Sequence, residues 1–289
     1  MMPEHAELNT AGIFPGARLF LQRLPGYLWI IFFLPCWFQS CSFSTGKDAR
    51  HSDSAFIDLP GPLKISAAEL TRCRKACADW YDSSLKKRGF NGGILVAKKG
   101  NIILEDYQGS GHPGGNDTIR ADMPFHIASV SKTFTAMAVL KFCQEGKIRL
   151  DDAFSNYFPA FNYPGVTIRT LLNHRSGLPN YVYFMEDLGW DKKKWVRNED
   201  VLAMLINRKG EIKNIGRANT YFAYCNTNYV LLALLLEKLS GQSYSRLMRQ
   251  LFFQPLQMNN TFVFDTADVQ KVIPSYDWGG GVIPFYFLD

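Results

Sequence analysis

Histidine is scarce in this 289-residue chain, which contains only five. No two of them stand at the short spacings that are typical of paired metal ligands. The sequence therefore offers no recognisable metal site, and we expect neither a metal ion nor another cofactor.

Long basic runs are also missing, although the formal net charge is +6. The clusters Lys86-Lys87-Arg88 and Lys192-Lys193-Lys194 are short, and no aromatic residues are interleaved with them. A nucleic-acid surface usually combines a basic stripe with stacking or base-reading groups. These clusters instead indicate solvated faces, and we expect no nucleic-acid partner.

Cysteine is too sparse to indicate a disulfide framework. The six cysteines are Cys36, Cys41, Cys73, Cys77, Cys143 and Cys225. Cys73 and Cys77 are four residues apart on a predicted helix, a geometry poorly suited to a disulfide. Cys143 and Cys225 are interpreted as small buried hydrophobic residues.

The N-terminal segment has the pattern of a targeting sequence. Arg18 and Arg23 precede an apolar run at 27–38 that is short for a membrane-spanning helix and suits a signal peptide. Cys41 follows this run, with the small residue Ser40 before it, and resembles a bacterial lipoprotein processing site. Lipidation at Cys41 and an uncleaved anchor both predict export to the cell envelope, with attachment to the membrane.

The rest of the chain can bury a sizeable core, because 47% of all residues are hydrophobic. Residues 1–41 form the leader, 42–63 a polar linker and 64–289 the folded domain. An amphipathic helix is predicted at Ala67–Lys87, and two strands at Gly92–Lys98 and Asn101–Gln108 form a hairpin. A helical lobe is predicted to follow, from Ser129 to about Met258.

The motif Ser-x-x-Lys occurs four times in the chain and is not diagnostic by itself. Ser44, Ser83 and Ser84 begin three copies in polar contexts. Ser129 begins the fourth and is followed by an apolar run at 133–140, which ends near Gly146. This pattern places Ser129 in the first turn of a buried helix.

A serine at that position can become a nucleophile. Lys132 lies three residues on and shares a helix face with Ser129. The positive end of the helix dipole stabilises a developing alkoxide, and the same field disfavours a charged lysine, which can then act as a base. The alternative is a serine near a helix start with a surface lysine.

A second motif, Tyr224-Cys225-Asn226, precedes a strongly apolar helix that is predicted to end at Gly241. A phenol beside a lysine can relay a proton, and an asparagine amide can bind a substrate carbonyl. The alternative is a loop tyrosine followed by an asparagine that caps the next helix.

Three stretches together resemble one known family. They are FHIASVSKTFTA at 125–136, TLLNHRSGLP at 170–179 and YFAYCNTNYVLL at 221–232. In this order they are similar to the serine beta-lactamase-related family, in its class C beta-lactamase and D,D-peptidase branch. The resemblance implies an α+β fold, with an antiparallel sheet beside a helical domain and the site between them.

The resemblance also implies roles for individual residues. Ser129 would form an acyl-enzyme, Lys132 and Tyr224 would activate it, and Asn226 would orient the acyl side chain. The backbone N–H of Ser129 would supply half of the oxyanion hole. The His174 loop is taken as structural. The implied substrates are beta-lactams, D-Ala-type peptides, including peptidoglycan fragments, and small esters, among which the sequence does not choose.

The chain departs from the family pattern in one respect. The family's third motif, a strand with Lys-Thr-Gly or His-Ser/Thr-Gly, does not follow Tyr224 before the last residue, Asp289. We therefore expect an incomplete sheet and a chain truncated at its C-terminus, with the hydrolase activity belonging to a longer form. The alternative is a catalytically incomplete module of the same fold that binds peptides or cell wall.

Overall fold

The computed structural model describes residues 60–112, 115, 117–191, 193–269, 271–277, 279 and 281–283. The predicted leader, including Cys41, lies outside the described residues. So do most of the linker and most of the apolar C-terminal end. Predictions about export, lipidation and truncation therefore stay predictions.

A helix and a hairpin form the N-terminal part of the described chain. Helix α1 (Ala67–Ser84) begins at Ser66, whose hydroxyl accepts a hydrogen bond from the Glu69 N–H at 3.2 Å. It ends earlier than the predicted Lys87, because the chain tightens into a 3-10 turn at Lys86–Arg88, which ends in left-handed backbone at Gly89.

The two predicted strands are confirmed at both ends. Strand β1 (Gly92–Lys98) pairs antiparallel with β2 (Asn101–Gln108), and the register shifts once, between Val96 and Ala97. Lys99 and Gly100 both have positive φ, as a two-residue hairpin turn requires. In the described part of the chain, the named strands form this two-stranded sheet.

The helical lobe follows the hairpin, as predicted. Its helices are α2 (Ser131–Gln144), α3 (Ile168–Leu172), α4 (Tyr181–Asp187), α5 (Asn198–Asn207), α6 (Asn226–Ser240) and α7 (Tyr244–Met248), followed by a π-helical turn at Arg249–Phe253. Helix α6 is apolar on nearly every side, and Leu231, Leu232, Leu235 and Leu236 are fully buried. Such a helix belongs in a core, and α2, α3, α5 and α7 pack around it.

The prediction that α2 is a buried helix holds for one of its faces. Ala138, Val139 and Phe142 are buried in the core, whereas Met137 is 55% exposed and Leu140 is 44% exposed. Residues 138, 139 and 142 share one side of a helix with 3.6 residues per turn, and 137 and 140 point away from it.

The described cysteines are all free thiols. Cys225 is buried as predicted. Cys143 is only partly buried, because it lies in the last turn of α2, at the margin of the core. No helix among the described residues has the length and apolar character needed to cross a bilayer.

Gly241 ends α6 in left-handed backbone with φ 67°, and its N–H donates to the Glu237 carbonyl. We expect Gly241→Ala to lower the free energy of unfolding by about 1 kcal/mol, because an alanine is strained in this conformation. Thermal or urea unfolding measures the change. Gly210→Ala is the matched control, since Gly210 has equally open surroundings and no positive φ. Equal losses of unfolding free energy in the two variants would show that the left-handed backbone at Gly241 is not the cause.

Candidate active site

Ser129 lies just before helix α2 rather than in its first turn. It belongs to a 3-10 turn, Ala128–Val130, that leads into α2 at Ser131. Ala128 has φ 45°, an uncommon conformation for a residue with a Cβ. The hydroxyl of Ser131 donates to the Ala128 carbonyl at 2.7 Å and holds this turn in place. The predicted start of the helix was therefore wrong by two residues. Alanine rarely adopts positive φ, so its sequence preference could not predict this turn.

The turn presents the Ser129 hydroxyl to two polar partners. Lys132 Nζ donates to Ser129 Oγ at 3.1 Å, and the Tyr224 hydroxyl donates to the same oxygen at 2.6 Å. Ser129 and Tyr224 are 95 residues apart in the chain. The three predicted residues Ser129, Lys132 and Tyr224 therefore meet around one oxygen atom.

The environment of Tyr224 lowers the pKa of its hydroxyl. Desolvation acts to raise the pKa of Tyr224. Its hydrogen bonds with Lys132 and Ser129, together with the lysine charge, outweigh desolvation and leave the pKa below its ordinary value of 10.0. Lys132 Nζ also lies 5.1 Å from the centroid of the Tyr224 ring and 5.7 Å from that of Tyr229, within cation–π range. Lys132 is thus surrounded by aromatic faces and by the two hydroxyl groups.

The His174 loop holds the segment that carries Tyr224. The His174 carbonyl accepts from Ala223 N–H at 2.8 Å, and His174 Nδ1 accepts from Cys225 N–H at 3.2 Å. The imidazole also lies against the Tyr224 ring, with 4.5 Å between the centroids. A hydrogen-bonded turn residue was predicted here, and the structure places it directly beside the catalytic candidate.

A buried polar network extends this connection into α6. Ser176 Oγ donates to Asn228 Oδ1 at 2.6 Å, and Asn228 Nδ2 lies 3.3 Å from His174 Nδ1. Thr227 Oγ1 accepts from Tyr181 N–H at 2.8 Å and donates to the Pro179 carbonyl at 2.7 Å. His174, Ser176, Thr227 and Asn228 are all buried. Buried polar groups that satisfy one another in this way fix a single geometry.

Asn226 is the first residue of α6, and Cys225 occupies the N-cap position. The alternative that Asn226 caps the helix is therefore wrong. Its Oδ1 is buried and has no hydrogen-bond partner among the described residues. An unpaired buried acceptor is costly unless a ligand supplies a donor. Asn226 is thus available to bind a polar group of a substrate.

A cavity of about 610 Å³ contains Ser129, Lys132 and Asn226 in its wall. Beyond these polar groups its walls are largely apolar, and they include Phe125, Phe134, Tyr229, Val230, Met248, Phe253 and Phe262. The volume suits a small molecule or one or two residues of a peptide. Within the described chain, no group of three or more His, Cys, Asp or Glu side chains is arranged to hold a metal ion.

The two other Ser-x-x-Lys copies within the described residues, which begin at Ser83 and Ser84, do not form a comparable site. Ser83 Oγ donates to the Asp79 carbonyl at 2.7 Å, a bond within its own helix, and Lys86 Nζ lies 6.0 Å from the Tyr81 ring centroid. Ser44 is outside the described residues. The motif alone could not distinguish the Ser83 copy from the Ser129 copy. Their hydrogen bonds do distinguish them.

A second group of serine, histidine and aspartate is found in the loop after β2. His112 Nδ1 and Ser110 Oγ lie 2.8 Å and 2.7 Å from the two oxygens of Asp117. Hydrogen bonds from Ser110 and then His112 lower the pKa of Asp117 to about 2. Here the carboxylate lies between the serine and the histidine, so the imidazole cannot take the serine proton as in a catalytic triad. The group stabilises a turn.

Sequence reasoning missed two contributors to the site, Tyr229 and Asn228. Both lie on α6, shortly after Tyr224, and were assigned only to an apolar helix. Their positions on the first turn and a half of α6 place them on the same side as the His174 loop. A polar Asn and a Tyr within an otherwise leucine-rich run were the available signal.

The fold and this arrangement define a class of protein. A sequence model of the beta-lactamase family matches residues 78–280, and the chain belongs to that family. The predicted α+β fold of beta-lactamases and penicillin-binding proteins is confirmed by structural neighbours.

Particular relatives make the similarity concrete. Penicillin-binding protein 4* of Bacillus subtilis (strain 168) is 34% identical over 207 residues, covering 71% of this chain and 45% of that protein. The crystal structure of a penicillin-binding protein from Bacillus halodurans aligns with TM-score 0.58 and 25% identity, over 78% of this chain and 65% of that one. A D-amino acid amidase from Ochrobactrum anthropi SV3 aligns with TM-score 0.57 and 23% identity, over 76% and 62% of the two chains, and shares the fold.

The chain therefore spans less than half the length of the Bacillus subtilis relative.

Proposed function

We propose that the protein is a serine hydrolase that forms an acyl-enzyme on Ser129. The observation that carries this proposal is the convergence of Lys132 Nζ and the Tyr224 hydroxyl on Ser129 Oγ, at 3.1 Å and 2.6 Å. Both distances are within the hydrogen-bond reach that proton transfer to or from a nucleophile requires.

Tyr224 is the base that best fits the electrostatics of the site. Its pKa lies below the ordinary value because hydrogen bonds to Lys132 and Ser129 outweigh desolvation. As a phenolate it takes the proton of Ser129 while Oγ attacks the substrate carbonyl. Lys132 remains beside both oxygens and stabilises the negative charge that passes between them.

The remaining steps follow from the same contacts. The carbonyl C–N or C–O bond breaks, and Tyr224 returns the proton to the leaving amine or alcohol. The amide N–H of Ser129, at a helix start where such groups lack partners within the helix, donates to the oxyanion. Water then attacks the ester on Ser129, releases the acid and restores the serine hydroxyl.

The substrate class is an amide or an ester with a carbonyl open to attack. A beta-lactam or a D-Ala-type peptide agrees with the name of the Bacillus subtilis relative, a penicillin-binding protein. Asn226, with its unpaired buried Oδ1, would accept a hydrogen bond from an amide N–H next to the reacting carbonyl. A small ester would react without using this contact.

Intact-protein mass spectrometry tests the proposal. The protein is purified in the longer form to which the sequence assigns the activity. It is incubated with a fluorescent penicillin and, separately, with a fluorophosphonate, and the adduct is located by peptide mapping. We expect one adduct per chain, on the peptide that contains Ser129. Saturable but non-covalent binding of the penicillin, with no adduct from either probe, would instead support the binding-module alternative.

A further inference from the structure

His174 forms hydrogen bonds to the residues on both sides of Tyr224. Its carbonyl accepts from Ala223 N–H and its Nδ1 accepts from Cys225 N–H, at 2.8 Å and 3.2 Å. The ring fills the space next to the phenol, 4.5 Å from the Tyr224 centroid. One buried residue therefore determines where the backbone on either side of Tyr224 lies and limits where its ring can move.

These contacts define the protonation state of His174. The Cys225 amide is a donor that faces Nδ1, and Asn228 Nδ2, the second neighbour at 3.3 Å, is also a donor. Because Nδ1 accepts, a neutral ring carries its proton on Nε2. A proton on Nδ1 would face both donors and break the bond to Cys225.

Among the charged and titratable groups around the imidazole, the charge of Lys132 opposes its protonation. Lys132 approaches from α2, Tyr229 from α6, and Tyr224 and Cys225 from the segment between them. In the loop of His174 itself, Arg175 directs its guanidinium to the Thr220 carbonyl at 3.2 Å. Burial first, and then the Lys132 charge, lower the pKa of His174 below its ordinary value of 6.5.

We propose that His174 is a positioning residue: as a neutral acceptor it holds Tyr224 against Ser129, and its protonation releases the tyrosine and adds an acid step to the protonation of Tyr224 itself. This inference rests on the proposed function, because the acid step is one of Ser129 reactivity. It goes beyond a structural turn, because it ties the reaction to the titration of a group that contacts no substrate.

Two substitutions separate positioning from simple packing. His174 has φ 56°, and asparagine tolerates this conformation better than most residues. His174→Asn also keeps an acceptor oxygen near the place of Nδ1 but cannot titrate. His174→Phe keeps an aromatic ring and removes the acceptor. Thermal melting of both variants shows whether each is folded.

The first measurement is the rate of Ser129 labelling by a fluorophosphonate between pH 4 and 9. In the parent chain we expect the rate to fall in acid in two steps. The first is protonation of the Tyr224 phenolate, with a midpoint below 10.0, and the second is protonation of His174, with a midpoint below 6.5. His174→Asn should retain most of the rate, keep the Tyr224 step and lose the His174 step. His174→Phe should be slower by about 10²-fold across the range, the typical cost of a reactive group misplaced by 1 Å.

The second measurement does not depend on reactivity. Histidine and tyrosine NMR signals of the parent chain are followed through the same pH range and assigned with His174→Asn and Tyr224→Phe. The Tyr224 signals should shift with the midpoint of His174. Persistence of the His174 step, with a midpoint below 6.5, in His174→Asn would overturn the inference. So would Tyr224 signals that do not change as His174 titrates. A parent chain that is never labelled at Ser129 would instead contradict the proposed function and leave the NMR test in force.

Discussion

Replacement of Ser129 by alanine is expected to abolish covalent labelling by penicillin and fluorophosphonate probes. No other described copy of Ser-x-x-Lys brings a lysine and a phenol to a serine hydroxyl. Removing Oγ removes the atom on which Lys132 Nζ and the Tyr224 hydroxyl converge. The remaining groups of the site have no nucleophile to activate. In-gel fluorescence after a fixed exposure to each probe measures the loss.

Ser83→Ala is the matched control. Ser83 begins another Ser-x-x-Lys copy. Its hydroxyl is hydrogen-bonded, as a donor, to the carbonyls of Asp79 and Trp80 within α1. We expect this variant to be labelled as fast as the parent chain. Labelling of Ser129→Ala at the parental rate would place the nucleophile elsewhere and remove the basis of the proposed mechanism.

The second large effect is expected for Tyr224→Phe. This change removes one hydroxyl and keeps the ring that packs on His174 and lies near Lys132. If Tyr224 takes the Ser129 proton, labelling should slow by about 10²–10⁴-fold, the usual contribution of a positioned base. The labelling rate is measured at several probe concentrations. We expect most of the loss in rate to lie in the reaction step rather than in initial binding of the probe.

Tyr183→Phe provides the comparison, because Tyr183 is 71% exposed on α4 and does not line the cavity. Its labelling rate should equal that of the parent chain. If Tyr224→Phe retained the parental labelling rate, the base would be Lys132 rather than the phenol.

Local patterns in the sequence were sufficient for much of this fold. The two short stretches on either side of Lys99-Gly100 predicted β1 and β2 at both ends. An unbroken leucine-rich run that ends at Gly241 predicted the central helix α6. These features depend on residues close together in the chain, so their pattern can be found in the sequence itself.

The site was predictable only in part, for a physical reason. Ser129 and Lys132 are related by helix periodicity, and family resemblance added Tyr224. The hydrogen bond between Cys225 and His174 joins residues 51 apart, and no local preference encodes such a contact. The positive φ of Ala128 is likewise imposed by tertiary structure, since alanine by itself disfavours it.

The separation of 95 residues between Ser129 and Tyr224 also has a consequence for synthesis of the chain. Residues emerge from the ribosome in order, so Ser129 and Lys132 leave it long before the tyrosine is made. The tyrosine reaches the serine only when α6 has been synthesised and has packed against α2. A nascent or partly folded chain therefore carries an ordinary serine, and the reactivity that we propose for Ser129 begins only when the helical lobe is assembled.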